Sequence, residues 1–259
     1  MKNILVPLDF SKVSINALDY AVKFAGQDPS IQLYLLHIKD GNLLEEQIKE
    51  KFDKLTKKYE NPLNPQLHEL VRSGELVSTI IEIQQKMEID LIIMGTKGAE
   101  MGEEDLVTRT SRFVHEADLP VLVIPEKFKK FRLETIILSV GQERIADRSP
   151  LYVLLDVSRR FKARVHVLTV QKTPVAASYS EDDESNENTL QYFLEMFYSH
   201  HSFAENEDIE KGILEYIEKY DIDMLAIMPN THLKNGIPSE GRLTRYLTLH
   251  TNVPLLVLD

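Results

Sequence analysis

The chain lacks several features, and each absence excludes a class of protein. It contains no cysteine, which excludes disulfide scaffolds, thiolate metal sites and cysteine nucleophiles. No apolar run approaches the roughly 20 residues that a membrane-spanning helix needs. The opening MKNILVPLDF is too short an apolar run for a signal peptide and predicts a strand instead. We therefore expect a cytoplasmic protein.

Positive charge is also scarce. Lys and Arg number 30 against 41 Asp and Glu, which gives a net charge of −11 and argues against general binding of nucleic acid or anionic membranes. The catalytic motifs GxSxG, HExxH and the Walker A loop are missing. Hydrophobic residues make up 43% of the 259 residues, enough to form a core in one large domain or two small ones.

The sequence repeats itself at a nearly constant offset of 132 to 134 residues. The matching landmarks are Ile4 with Ile136, IDLIIMG at Ile89 with IDMLAIMP at Ile222, LPVLVIP at Leu119 with VPLLVLD at Val253, and His68 with His201. We predict two copies of one domain, at residues 1–127 and 131–259. The polar stretch EKFKKFR, residues 126–132, joins them.

Each copy alternates apolar strands with segments of helical periodicity. Strands are predicted near 3–8, 31–38, 66–71, 90–94 and 120–124, and again near 134–140, 164–170, 198–204, 223–228 and 254–258; helices are predicted near 12–25, 42–59, 75–87 and 104–117. Runs such as LIIM are continuously apolar, which is typical of strands buried on both faces. The fold class is therefore α/β, with two tandem doubly wound domains, each with a five-stranded parallel sheet flanked by helices.

Two polar features have competing interpretations. The charge run SYSEDDESNENT, residues 178–189, predicts a solvated loop rather than a metal site. His200 and His201 follow each other in a strand, so they point to opposite faces and do not bind one ion together. His37 and His166 lie in apolar strands and are interpreted as core or edge residues.

Asp9 and the loop GTKG stand where a doubly wound sheet binds ligands, at the carboxyl ends of strands. Asp9 is either a ligand contact or, with Ser11, the cap of the next helix. The glycines Gly95 and Gly98 permit a close approach to the backbone, and the following helix would direct free N–H groups toward an anion. A lone GxxG is also compatible with a simple turn.

In order and spacing, ILVPLDFS, LLHI, MGTKG and LPVLVIP resemble the universal stress protein family, and both halves share the resemblance. The family has a doubly wound fold, and many members bind ATP or AMP while others have lost that ability. Carried onto this chain, the resemblance implies nucleotide contacts at Pro7, Leu8, Asp9, Ile38, Met94, Gly95, Lys97, Gly98, Thr108, Arg109, Thr110 and Ser111. It implies no catalytic residue, and no metal beyond a nucleotide-associated Mg²⁺.

The first half departs from the family's nucleotide motif, G-x2-G-x9-G-[ST]. Thr108 and Arg109 stand where Gly and Ser or Thr are expected, and a β-branched residue crowds the space for a phosphate. The loop also carries Glu100, Glu103, Glu104 and Asp105, which repel phosphates. AMP or ADP therefore suits the first half better than ATP. The alternatives are an interaction scaffold with no nucleotide and a slow ATPase.

The second half is predicted to bind no nucleotide in this manner. Gly141 replaces Asp9, and IMPNTHLKNG replaces MGTKG, with Pro229 lacking an N–H and Asn230, Thr231 and His232 filling the space. The final strands, PVLVI and PLLVL, are exposed edges that favour pairing. We expect the two copies to pair within the chain through these strands, and a homodimer is a further possibility.

Overall fold

A computed structural model describes residues 1–61, 65–99, 108–116, 119–141, 143–172, 180–229 and 241–258. The strands are β1 (Asn3–Pro7), β2 (Gln32–Lys39), β3 (Gln66–Ser73), β4 (Leu91–Thr96), β5 (Val121–Pro125), β6 (Thr135–Ser139), β7 (Arg164–Gln171), β8 (Tyr198–Glu205), β9 (Met224–Ile227) and β10 (Leu255–Val257). The helices are α1 (Lys12–Ala25), α2 (Glu45–Tyr59), α3 (Leu76–Met87), α4 (Arg109–Glu116), α5 (Pro150–Phe161), α6 (Glu181–Leu194), α7 (Ile209–Lys219) and α8 (Arg242–His250). In the described part, no helix is both long and apolar enough to cross a membrane.

The strands form one sheet in the order β3-β2-β1-β4-β5-β10-β9-β6-β7-β8. Within each half all pairs are parallel, while β5 and β10 run antiparallel, with Leu122 opposite Leu256. The α/β architecture with two tandem doubly wound halves is confirmed. Because β5 and β10 are neighbours, neither of these apolar strands is left as a free edge.

Helices cover both faces of this sheet. The apolar layer on the face of α1, α2, α5 and α6 runs from Ile4 in the first half to Leu258 in the second, and a second such layer covers the opposite face. The segment that joins the halves is not a free linker. Phe131 packs against Tyr20 of α1 at 4.9 Å and against Phe161 of α5 at 5.7 Å between ring centroids.

The loop predicted at 178–189 is wrong from residue 181 onward, because α6 begins there. Ser180 caps the helix by accepting from the Asp183 N–H at 3.1 Å, and the Asp183 carboxylate accepts from the Ser180 N–H at 2.8 Å. The acidic run therefore lies at the positive end of a helix dipole, where carboxylates are stabilising. Residues 178–179 lie outside the described part.

The landmark that aligned His68 with His201 is off by one residue. Leu5 lies opposite Tyr34 and Ile137 opposite His166, so Tyr34 and His166 are equivalent. Tyr34 is the register partner of His68, but a bulge between Val165 and Val167 shifts β8. His200, whose ring contacts His166, is therefore the equivalent of His68.

Candidate functional site

The predicted site residues come from segments that meet at one edge of the first half. β1 lies between β2 and β4, so the carboxyl ends of these three strands form the crossover where a doubly wound sheet binds ligands. Pro7, Leu8 and Asp9 follow or end β1, and Ile38 lies near the end of β2. Residues 94–98 end β4, and residues 108–111 begin α4.

Asp9 is held in place by the start of α1. Its Oδ1 accepts from the Ser11 N–H at 2.9 Å and from the Ser14 hydroxyl at 2.7 Å, while Ser11 caps the helix. Partial burial by itself raises the pKa of Asp9, but hydrogen bonds from Ser11 and Ser14 outweigh it and the pKa lies below its usual value. No described residue donates to Oδ2. The interpretations of Asp9 as a ligand contact and as part of the helix cap are thus compatible, since Oδ1 binds the start of α1 and Oδ2 is available.

Phe10 and His37 pack against each other after β1. Sequence reasoning missed Phe10, whereas the interpretation of His37 as a core or edge residue is confirmed by its burial. Phe10 has a φ of +62°, a strained conformation for a bulky residue, and its ring lies 4.7 Å from that of His37. His37 is buried, and its Nδ1 lies 2.8 Å from the Leu8 carbonyl oxygen. Its Nε2 has no hydrogen-bond partner in the described part of the chain. The backbone of Leu8 is therefore tied to β2 by a side chain.

Gly95 is required by packing. A Cβ at this position would lie 2.6 Å from the Val13 carbonyl oxygen and 2.7 Å from its Cγ1, because α1 crosses directly over β4. Its own carbonyl accepts from the Thr110 hydroxyl at 2.8 Å. The lack of a side chain at 95 is thus accounted for without a ligand.

Gly98 and Ala99 contact the second half of the chain. Gly98 has a φ of +76°, and a Cβ there would lie 3.0 Å from the Leu249 carbonyl oxygen. The Ala99 N–H donates to the same oxygen at 3.0 Å. Leu249 is in the last turn of α8, so this loop N–H satisfies the end of a helix.

The start of α4 uses its own hydroxyl groups. The Ser111 N–H donates to Thr108 Oγ1 at 3.0 Å, and the Thr108 N–H donates to Ser111 Oγ at 3.0 Å. This reciprocal arrangement caps the helix, so these two polar groups are engaged in the structure. The side chain of Arg109 and residues 100–107, with their four carboxylates, lie outside the described residues.

The predicted contacts differ in accessibility. Met94 and Leu8 are buried in the core, so their side chains are not accessible to a ligand. Pro7, Ile38 and Gly98 are half-buried, and Asp9 and Lys97 are exposed. An exposed carboxylate and an exposed ammonium thus flank the crossover.

The second half ends its first strand differently. The Val140 N–H donates to the Leu168 carbonyl as that of Leu8 donates to Leu36, which makes Gly141 the equivalent of Asp9. The connection from β6 to α5 spans residues 140–149, whereas β1 reaches α1 through residues 8–11. Asp147 accepts from the Ser149 N–H at 2.9 Å before α5. Residues 230–240, including Asn230, Thr231 and His232, lie outside the described part.

An open cleft of about 580 Å³ lies at the other edge of the sheet, between the ends of α1 and α5. Its lining mixes Lys23 and Arg159 with Asp28 and Asp156, and Arg160 pairs with Asp28 at 2.8 Å across the two halves. Cations and carboxylates are interspersed, so the cleft presents no uniform charge to a ligand.

Comparison with known proteins identifies the first half. A model of the universal stress protein family matches residues 1–125. A universal stress protein of Methanocaldococcus jannaschii is 27% identical over 146 residues, covering 50% of this chain and 85% of the relative.

Solved structures extend the similarity of fold to the whole chain. A universal stress protein from Archaeoglobus fulgidus, 17% identical, has a TM-score of 0.71 with 99% of this chain and 98% of its own covered. A functionally unknown protein from Pseudomonas aeruginosa, also 17% identical, has a TM-score of 0.67 with 100% and 92% covered. The family model thus identifies residues 1–125 as a universal stress protein domain, and the whole chain shares its fold with these solved structures.

Proposed function

We propose that this protein is a cytoplasmic stress-response module that binds one adenine nucleotide, in its first half, and performs no catalysis. The observation that carries the proposal is the geometry of Asp9. Its Oδ1 is fixed by Ser11 and Ser14, and its Oδ2 remains an acceptor at the crossover of β1 and β4. A fixed carboxylate oxygen suits the amine of adenine or a ribose hydroxyl, because both are hydrogen-bond donors.

A short phosphate chain suits this site better than a triphosphate. The Ala99 N–H is engaged by the Leu249 carbonyl, and the hydroxyls of Thr108 and Ser111 cap α4. A long phosphate chain would need these groups as donors, and each bond broken to release one costs about 0.5–1.5 kcal/mol. AMP or ADP needs fewer of these donor groups than ATP with its Mg²⁺. Lys97 is an exposed cation near this edge.

We propose that the second half, residues 131–259, serves as a structural partner of the first, residues 1–127. Gly141 offers no carboxylate where Asp9 stands, and the Pro229 nitrogen has no hydrogen to donate. What this half contributes instead is β10 beside β5 and the end of α8 against the GTKG loop. It completes the molecule without a second ligand.

Calorimetric titration with AMP, ADP and ATP tests the proposal. We expect one site per chain, AMP or ADP tighter than ATP, and loss of binding in Asp9→Ala. Asp147→Ala is the matched control, since it removes the same type of helix-start hydrogen bond from the second half. Binding that survives Asp9→Ala, or two sites per chain, would contradict the proposal.

The second candidate is an interaction scaffold of the same fold with no nucleotide. It is favoured by Gly95 and Gly98, whose missing side chains are accounted for by Val13 and Leu249. No heat of binding with any of the three nucleotides, from protein that unfolds cooperatively and is therefore folded, would select this candidate.

A further inference from the structure

Two histidine rings lie side by side near the outer edge of the second half. His166 of β7 and His200 of β8 have ring centroids 4.3 Å apart, with planes inclined by 47°. β8 is the last strand of the sheet, His200 is exposed and His166 is half-buried. The pair is therefore open to solvent on one side.

The ring of His200 is oriented by its neighbour. Its Nδ1 lies 3.1 Å from the Ser199 hydroxyl oxygen, which leaves Nε2 as the nitrogen for another partner. A hydrogen bond to the distal nitrogen is the usual way that a protein orients a metal-binding imidazole. His200 thus has the outer contact of a metal ligand as well as a neighbouring imidazole.

The first half has no such pair at the equivalent positions. There Tyr34 stacks on His68 at 5.0 Å, and His68 Nε2 is engaged by Gln32 Oε1 at 2.6 Å. A phenol ring provides the same packing as an imidazole but is a poor ligand for a divalent ion at neutral pH. Packing alone therefore does not require histidine at position 166.

We propose that His166 and His200 bind one late first-row divalent transition ion, Cu²⁺ more tightly than Ni²⁺ or Zn²⁺. Imidazole suits these metals, and affinity rises to Cu²⁺ along the series. Among the described residues no group of three or more His, Asp or Glu could hold a metal, so water completes the coordination. Arg164 lies two residues before His166 on the same strand, and its charge weakens the binding of every divalent ion, so a metal with high intrinsic affinity for imidazole is needed. The proposal is independent of nucleotide binding.

Titration of the untagged protein with Cu²⁺ and Ni²⁺ at pH 7.5 tests the proposal. We expect one saturable Cu²⁺ site per chain that is lost in His166→Tyr and in His200→Ala. His166→Tyr restores the residue that the first half carries, so we expect it to fold. His68→Ala, which removes the equivalent histidine of the first half, should leave Cu²⁺ binding unchanged.

Electron paramagnetic resonance of the bound Cu²⁺ gives a measurement that needs no variant. Two imidazole nitrogen ligands are expected in the wild-type spectrum. Absence of a saturable site in the wild type, a spectrum without two imidazole nitrogens, or equal affinity in His166→Tyr would each overturn the proposal.

Discussion

The two halves of this protein agree where the sheet is held together and differ where a ligand would bind. Asp90 Oδ2 accepts from the N–H groups of Lys2 and Asn3, and Asp223 Oδ2 accepts from those of Glu134 and Thr135. At the carboxyl edge, in contrast, the position that Asp9 holds in the first half is occupied by Gly141 in the second. The repeated residues are those that the backbone needs, so the unrepeated ones are where function is expected.

The halves also depend on each other unequally. Arg160 of α5 donates to the carbonyls of Phe24 and Ala25 at the end of α1 and pairs with Asp28. At the other edge, the last turn of α8 accepts from Ala99. The second half therefore supports both ends of the first, which fits its proposed role as a structural partner.

The largest effect is expected from the two repeated aspartates. Asp223 is buried and also pairs with Arg132, whereas Asp90 is exposed. Asp223→Ala should lower the free energy of unfolding by about 3 kcal/mol and Asp90→Ala by about 1 kcal/mol, because a buried group left unpaired costs more. Urea denaturation measures both, and equal losses would contradict the argument from burial.

A glycine from each half provides the next comparison. Gly95→Ala should destabilise by about 1–3 kcal/mol, because its Cβ would overlap the backbone of Val13. At Gly141 a Cβ would meet nothing closer than the Glu143 nitrogen at 4.0 Å, so Gly141→Ala should stay within about 0.5 kcal/mol. Thermal unfolding of both variants checks this, and a stable Gly95→Ala protein would reopen a role for Gly95 in ligand binding.

Replacing Arg160 or its neighbour Arg159 compares the loss of a contact between the halves with the loss of a surface charge. Arg160→Ala should cost about 1–3 kcal/mol, since it removes charged donors from two α1 carbonyls. Arg159 lies 3.7 Å from Glu195, and both are exposed, so Arg159→Ala should cost under about 1 kcal/mol. The same loss in both denaturation curves would show that the Arg160 contact adds nothing.

A smaller effect, which depends on pH, is expected from the contribution of Asp28 to the free energy of unfolding. Hydrogen bonds from Ser30 and then Arg160 lower the pKa of Asp28 from 3.8 to about 2. A lowered carboxyl pKa stabilises the fold above pH 3.8, and this stabilisation is lost as the pH falls through about 2. The stability difference between wild type and Asp28→Asn should therefore be larger at pH 5 than at pH 2.5; a constant difference would argue against the ion pair.

The smallest effect concerns ATP turnover, for which we expect none. Hydrolysis requires groups that stabilise charge developing on the phosphoryl oxygens and a positioned water. In the described part of the site, Lys97 is an exposed cation that follows β4, and the hydroxyls of Thr108 and Ser111 are used to cap α4. A phosphate-release assay should show no difference between wild type and Asp9→Ala. Turnover that Asp9→Ala abolishes would support the ATPase alternative.

Some misinterpretations could have been avoided from the sequence, and others could not. Ser180 followed three residues later by Asp183 is a capping-box pattern, so the start of α6 was readable within its acidic run. The bulge between Val165 and Val167 could not be read from the sequence, because the register of β8 against β7 depends on hydrogen bonds between residues that are far apart in the chain. The histidine alignment failed for that reason.

The sequence by itself determined the repeat, the strand positions and the α/β class, because these follow from local apolar patterns that recur along the chain. Only the tertiary structure decided what the glycines and hydroxyls at the candidate site do. Gly95 leaves room for the backbone of Val13, and Ala99 donates to Leu249. Each partner is separated in the chain by most of a domain or more. Such contacts depend on how helices cross the sheet and how the halves meet, which no local pattern records.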